Sequence, residues 1–322
     1  MTWWCASSEL SWTWAPRAYP GIWIFMLGVA IFGVVAARRH GGASTRQRAL
    51  WWAGLLALWV ATDWPLGALG AGYLASAHML QYLLYTFVAA PLLVLSVPER
   101  LARQSLSGGL VRPLAILSRP LLAGVLVNVV LVATHAPITV DALRTSQAGS
   151  FGMDLLWLAG GLILWLPICG PLPEQRPSYI ARGAYLFLAA GVIPMIPGGF
   201  LTFADFPLYR LYELAPRVGS ISAITDQQLA GALMKVGNLP LVWPVIGAMF
   251  WRAAQQERQA ESAAPGLAGS PAGVGVAAAG QHQLAAHGER AAEHQWLDEH
   301  ISETTVDEIF DQSARSDGPV RR

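Results

Sequence analysis

Apolar residues recur along the chain in long stretches near 20–37, 49–67, 72–98, 120–138, 152–172, 179–203 and 227–251. Each approaches the roughly 20 residues that a helix needs to cross a bilayer. The pattern predicts an all-α, polytopic membrane protein with seven transmembrane helices. The third stretch, GYLASAHMLQYLLYTFVAAPLLVLSVP, carries no charge before Glu99, yet holds His78, Gln81, Tyr82 and Tyr85. At helical spacing His78, Tyr82 and Tyr85 fall at i, i+4 and i+7, so they share one face with Gln81 beside them. A polar stripe is costly in lipid, so this face is expected to look inward. The other stretches are the material that encloses it.

Composition agrees. Of 322 residues, 54% are hydrophobic and only 13% charged, where a soluble chain would carry about a quarter charged residues. The formal charge of +1 implies no nucleic-acid partner. Cys5 and Cys169 form no CxxC pattern, so neither a zinc site nor a disulfide framework is indicated. Residues 1–19 lack a basic region ahead of an apolar run and do not read as a cleaved signal. Their tryptophans Trp3, Trp4, Trp12 and Trp14 suit an interfacial aromatic belt.

Arginine sets the expected orientation. Arg38, Arg39, Arg46 and Arg48 fall between stretches one and two, and Arg100, Arg103, Arg112 and Arg119 between three and four. Arg176 and Arg182 follow stretch five. The alternate connections hold none at 68–72, Arg144 alone at 139–151, and Arg210 with Arg217 at 204–226. The positive-inside rule then puts the N-terminus outside and the C-terminus in the cytoplasm, in a multi-pass cell (inner) membrane protein. The division is a 1–19 outer segment, a 20–251 membrane domain and a 252–322 cytoplasmic tail. The PMIPGG run in stretch six predicts a kink or break. Residues 99–119 read as an interfacial linker.

With that topology the polar residues fall at one level, towards the outer face: Asp63, His78, His135, Asp154, Asp226, Gln227 and Lys235. They are expected to line a pocket that opens outward. His78 is either a metal ligand or an interhelical hydrogen-bonding group, and His135 is a ligand or a cap on helix-end carbonyls. Asp63 and Asp226 are expected to neutralise Lys235 in a structural ion pair, the alternative being a bound cation. Gln81 and Gln227 read as interhelical hydrogen-bonding groups. Beyond residue 252 the chain turns Ala/Gly/Ser/Pro-rich, then acidic, and reads as a flexible tail. Within it QWLDEHISETTVDEIFD reads as disordered or as a short amphipathic helix, and the irregularly spaced histidines 282, 287, 294 and 300 read as solvated linker, the alternative being a metal tract.

The strings AHMLQYLLYTFVAAPLLVLSVP, THAPITVDAL, GLILWLPICGPLP, DFPLYRLYE and TDQQLAGALM occur in this order over about residues 12–250. Together they resemble the seven-helix cytochrome c oxidase assembly factor CtaG family. The resemblance implies a role in maturing a haem-copper oxidase at its copper centre, with oxidase subunits and the bilayer as partners. The chain departs from the family pattern at the H-M-x-Q-H motif, which here reads His78-Met79-Leu80-Gln81-Tyr82. It also departs at the stretch-five entry, SQAGSFGMDLLW, which has no histidine, and at Trp14-Ala15-Pro16 in place of W-D-P. Only His78 and His135 remain as imidazoles in the bundle, with Met79, Met153 or Met234 as soft ligands that could complete a Cu(I) site. Tyr82 stands where the family carries its second histidine. Two other readings stay open: a metal-free docking subunit of a respiratory complex, and a haem-binding subunit with His78 and His135 as axial ligands. No HExxH, GxSxG or phosphate-loop motif is present, and no enzyme activity is expected.

Overall fold

The computed structural model describes residues 2–106 and 115–263. The tail histidines and the amphipathic segment expected near 295–311 lie outside the described residues. The chain divides into two compact units, Met1–Glu261 and Ser262–Arg322. Among the described residues of the first unit, all regular elements are helical.

Helix α1 (Pro20–Arg39) starts on a proline, whose missing N–H costs nothing at a first helical turn, and ends on Arg38 and Arg39. Helix α2 (Thr45–Thr62) begins earlier than the apolar pattern predicts. Ser44 and Gln47 form a reciprocal capping box there, which draws Arg46 and Arg48 into the first turn. After a 45° bend at Asp63-Trp64-Pro65 comes α3 (Leu66–Gly72). The segment expected to be an outer connection at 68–72 is therefore helical, and Gly67, Ala68, Gly70, Ala71 and Gly72 are all buried.

Helix α4 (Ala75–Ser96) is the axis of the bundle. Two-thirds of its apolar window is buried (67%), against 11% for α1 at the edge. Helices α2 and α3 pack against it. It contains a π-helical turn at Leu84–Ala89 just before Pro91. The wider turn accommodates the ring that would otherwise clash with the carbonyl one turn back. Helix α5 (Glu99–Leu106) follows at the arginine-rich end.

Helix α6 (Pro120–His135) turns by 68° into the short α7 (Pro137–Leu143), because the residue before Pro137 is driven out of the helical region. Helix α8 (Gln147–Cys169) starts ahead of the expected 152, its Ser146 hydroxyl accepting from the Gly149 N–H. Asp154 consequently lies about two turns inside the helix rather than at its mouth. Helix α9 (Tyr179–Phe203) carries a π-helical turn at Phe187–Val192 and a break at Ile193-Pro194 before Met195–Phe203. A five-residue α10 (Arg210–Leu214) then leads to α11 (Ala223–Val236) and α12 (Leu239–Ala263). Helices α8 and α11 join α2 and α3 in enclosing α4.

Among the described residues five helices are long and apolar enough to cross a membrane, or up to seven if each bent pair is a single span. Their outer faces carry Ile24, Phe32, Leu121, Val129 and Phe200 in the open. A surface of that character suits lipid rather than water. Helices cross closely where side chains vanish. A Cβ at Gly161 of α8 would stand 2.8 Å from the Ala90 Cβ of α4, the close approach that small residues permit in membranes.

In the segment before α1, Trp3 and Trp14 are exposed, while other groups turn into the bundle. Trp4 is 2% exposed, and its indole N–H donates to Asp154 Oδ2 at 2.8 Å. The Trp3 and Trp4 backbone N–H groups donate to Gln147 Oε1 at 2.6 and 3.3 Å, and the Ser7 N–H donates to the Arg144 carbonyl at 2.9 Å. The Cys5 thiol donates to the Thr62 carbonyl at 3.5 Å, and burial, with Asp154 nearby, pushes it well above the usual thiol range. The segment closes one end of the bundle, its donors bonded to Gln147, Asp154 and the Thr62 and Arg144 carbonyls.

Candidate functional site

The two bundle histidines meet. His78, in the first turn of α4, and His135, the last residue of α6, have ring centroids 5.4 Å apart in edge-to-face contact. The bend at Ala136-Pro137 ends α6 at the depth where α4 begins, which is why residues far apart in the chain converge. One turn along α4, the Tyr82 ring lies 4.8 Å from His135. Trp157 of α8 packs against both imidazoles, at 4.7 Å from His78 and 5.7 Å, stacked, from His135. All four side chains are almost wholly buried.

The hydrogen bonds fix the proton positions. His135 Nδ1 lies 2.9 Å from the Leu131 carbonyl, which can only accept, so that nitrogen carries the hydrogen. Tyr212 of α10 lies 2.6 Å from the Gly70 carbonyl and 2.9 Å from His78 Nδ1. Its single O–H goes to the carbonyl, so its oxygen accepts from His78 Nδ1–H. Both imidazoles therefore hold their Nε2 as a bare lone pair, and neither Nε2, though buried, has a partner among the described residues. This is the arrangement in which the far nitrogen orients the ring and the near one is free to ligate. A haem does not fit between them, because the rings already touch and Trp157 bridges both.

A second charged pair supports the cluster. Arg144, between α7 and α8, is fully buried, and its Nη1 lies 3.0 Å from Asp154 Oδ1. Its guanidinium stacks 4.9 Å from the Trp157 centroid. The positive charge rests on the indole that touches both histidines, and the carboxylate is held in turn by Trp4. Trp157 donates to Thr134 Oγ1 at 3.0 Å, and Tyr209 donates to the His135 carbonyl at 2.8 Å. Trp4, Asp154, Arg144 and Trp157 thus form a continuous path from the closing segment to the imidazoles. The polar face is consequently a sealed core rather than the outward-opening pocket expected from the sequence.

The remaining expected site residues disperse. Gln81 donates from Nε2 to the Ala61 carbonyl of α2 at 2.8 Å, while its Oε1 is buried without a partner. Asp226 caps α4, accepting from the Ala75 and Ser76 N–H groups at 2.6 and 3.2 Å and from the Ser76 hydroxyl. Gln227 accepts from the Leu208 N–H at 2.5 Å and donates to the Leu201 and Phe206 carbonyls. Asp63 is not at the cluster. It accepts from Trp23 and Trp59 at 2.8 and 2.7 Å, tying α1 to α2. Neither aspartate pairs with Lys235, whose ammonium sits 4.8 Å over the Phe203 ring instead. A bonded helix terminus and two indoles already satisfy the carboxylates, so the expected ion pair has no role. Met79, Met153 and Met234 are all buried in the core.

Arg144, Trp157, Tyr209 and Tyr212 belong to the site without being apparent from sequence. Arg144 reads there only as a marker of topology, although a lone arginine ten residues before an aspartate that opens an apolar run is a usable signal. Tyr209 and Tyr212 stand in the DFPLYRLYE string, where spacing alone assigns them no partner. Among the described residues no group of three or more His, Cys, Asp or Glu side chains is placed to hold a metal.

The family model described as cytochrome c oxidase caa3 assembly factor (Caa3_CtaG) matches residues 29–256, which takes in most of α1 and every helix up to the greater part of α12. No curated protein and no solved structure matches the chain.

Proposed function

Because the chain belongs to the cytochrome c oxidase caa3 assembly factor family, we propose that it assists maturation of the copper centre of a haem-copper oxidase in the cell membrane. In this reading it is a non-catalytic binding protein with seven spans. Its N-terminus lies outside and its C-terminus in the cytoplasm, each bent pair counting as one crossing. The observation that carries the copper reading is the pair of bare, buried Nε2 lone pairs on His78 and His135. Cu(I) accepts two imidazoles as ligands and asks for no carboxylate. Copper is cargo here: the two histidines hold it, Tyr212 and the Leu131 carbonyl keep their tautomers, and the closed bundle end excludes water.

Tyr82 lies against His135, so replacing it by histidine adds a third imidazole to the same contact. Metal analysis of purified protein is expected to find copper near one per chain. His78→Ala should abolish it, and Tyr82→His should bind more tightly. A copper-free protein whose His78→Ala variant still matures the oxidase would end the reading. A metal-free docking role is the second reading, favoured by the lack of any group of three ligating side chains among the described residues.

A further inference from the structure

At the arginine-rich end of the bundle, away from the histidines, we propose a site for the headgroup of an anionic phospholipid. A cavity of about 640 Å³ opens there between the starts of α2 and α9 and the ends of α4 and α8, with α12 alongside. Arg46, Arg176, Arg182 and Arg252, brought from three separate parts of the chain, line it. None of the four has an ion-pair partner among the described residues. Glu99 also lines the cavity, but its carboxylate and that of Glu174 both accept from Arg103, at 2.6 and 2.7 Å.

The arginines are also held in place. Arg176 Nε donates to the Gly170 carbonyl at 2.8 Å, and Arg182 Nη1 to the Ile168 carbonyl at 3.0 Å. The Arg182 and Arg252 guanidinium carbons lie 4.2 and 6.0 Å from the Tyr179 ring. Like charges gathered around one ring repel unless an anion lies among them. Arg182 Nε is buried and has no protein partner, so a donor is left over at the cavity wall.

The rest of the wall decides which anion. Leu95, Val245, Ala248 and Met249 line the same cavity and belong to helices apolar enough to cross a membrane. Guanidinium groups over an apolar wall at a helix-bundle end match a phosphate headgroup above acyl chains, and basic pockets between transmembrane helices take such lipids. A soluble phosphate would use the arginines and leave the apolar wall in contact with water.

The test uses the full chain reconstituted from equimolar phosphatidylcholine and phosphatidylglycerol, with the tightly held lipid quantified after delipidation. Phosphatidylglycerol should be retained about thirtyfold over phosphatidylcholine, as a pair of arginines near the surface would give. Arg46→Gln with Arg252→Gln removes two exposed cations that hold no backbone carbonyl, so the fold should persist and the preference should fall to near unity. Arg182→Gln should weaken it as well. Arg38→Gln with Arg39→Gln, at the same end, should leave it intact. An equal loss in that control would mean diffuse surface charge and overturn the site. Inorganic phosphate stabilising the protein in pure phosphatidylcholine as strongly as phosphatidylglycerol does would overturn the lipid assignment. Copper content is not read in this experiment, so its outcome is independent of the histidine pair.

Discussion

At the scale of single residues, sequence shows which polar groups are buried more readily than it shows their partners. His78 and His135 stand out because imidazoles are rare in apolar runs, and their similar depth is enough to bring them together. Asp63 misleads because depth fixes a level but not a direction, and it points at Trp23 and Trp59. Arg144 is hard to see as a site residue because arginine in membrane proteins is first a mark of sidedness. The Arg144–Asp154 pair carries a prediction of its own. Asp154→Asn leaves a buried guanidinium without its counter-charge and should cost about 3–5 kcal/mol, whereas Arg144→Leu combined with Asp154→Leu removes both charges and should cost less. Thermal unfolding in detergent compares the two, and a double variant no more stable than the single one would contradict it.

Helices are legible where apolar runs are long, and their ends are not. Ser44, Ser146 and Ser178 set the true starts through side-chain caps, and such single hydroxyls are faint against a hydropathy pattern averaged over a whole span. Prolines are legible as breaks but not as geometry. The PMIPGG run does interrupt α9, while the size of the 68° turn after His135 and the π-helical form of the turn before Pro91 are not given by the prolines alone. The helical state of 68–72 is concealed because small residues between two spans read as a connection, although small residues are also what a close crossing requires. Gly161 shows that second use. A leucine there would drive α8 off α4, since even its Cβ would stand 2.8 Å from Ala90. Gly161→Leu should lower stability by about 1–3 kcal/mol or more, and a melting midpoint equal to wild type would show that the helices can part without loss.

For the molecule as a whole, sidedness rests on arginine, and it is tested from outside. Thr145→Cys and Val218→Cys should react with an impermeant maleimide in intact cells, and a cysteine placed after Arg322 should not. Cys5 should stay silent, being buried with its thiol held protonated. Labelling of the far end instead would reverse the orientation. The described structure runs on past the expected 251 boundary, with α12 reaching Ala263, so truncation after 263 should leave insertion and melting unchanged, and a cut after 251 should not. Loss of the inserted core in both would show that later residues hold it. The stretch that stoppers the bundle has a temporal consequence as well. Trp4 and Asp154 are 150 residues apart, which at ribosomal speed is a delay of about 8–30 s. During that interval Trp3 to Ser7 have no Gln147, Arg144 or Asp154 to bind. The lid is therefore among the earliest parts made, yet it cannot be seated until the start of α8 exists.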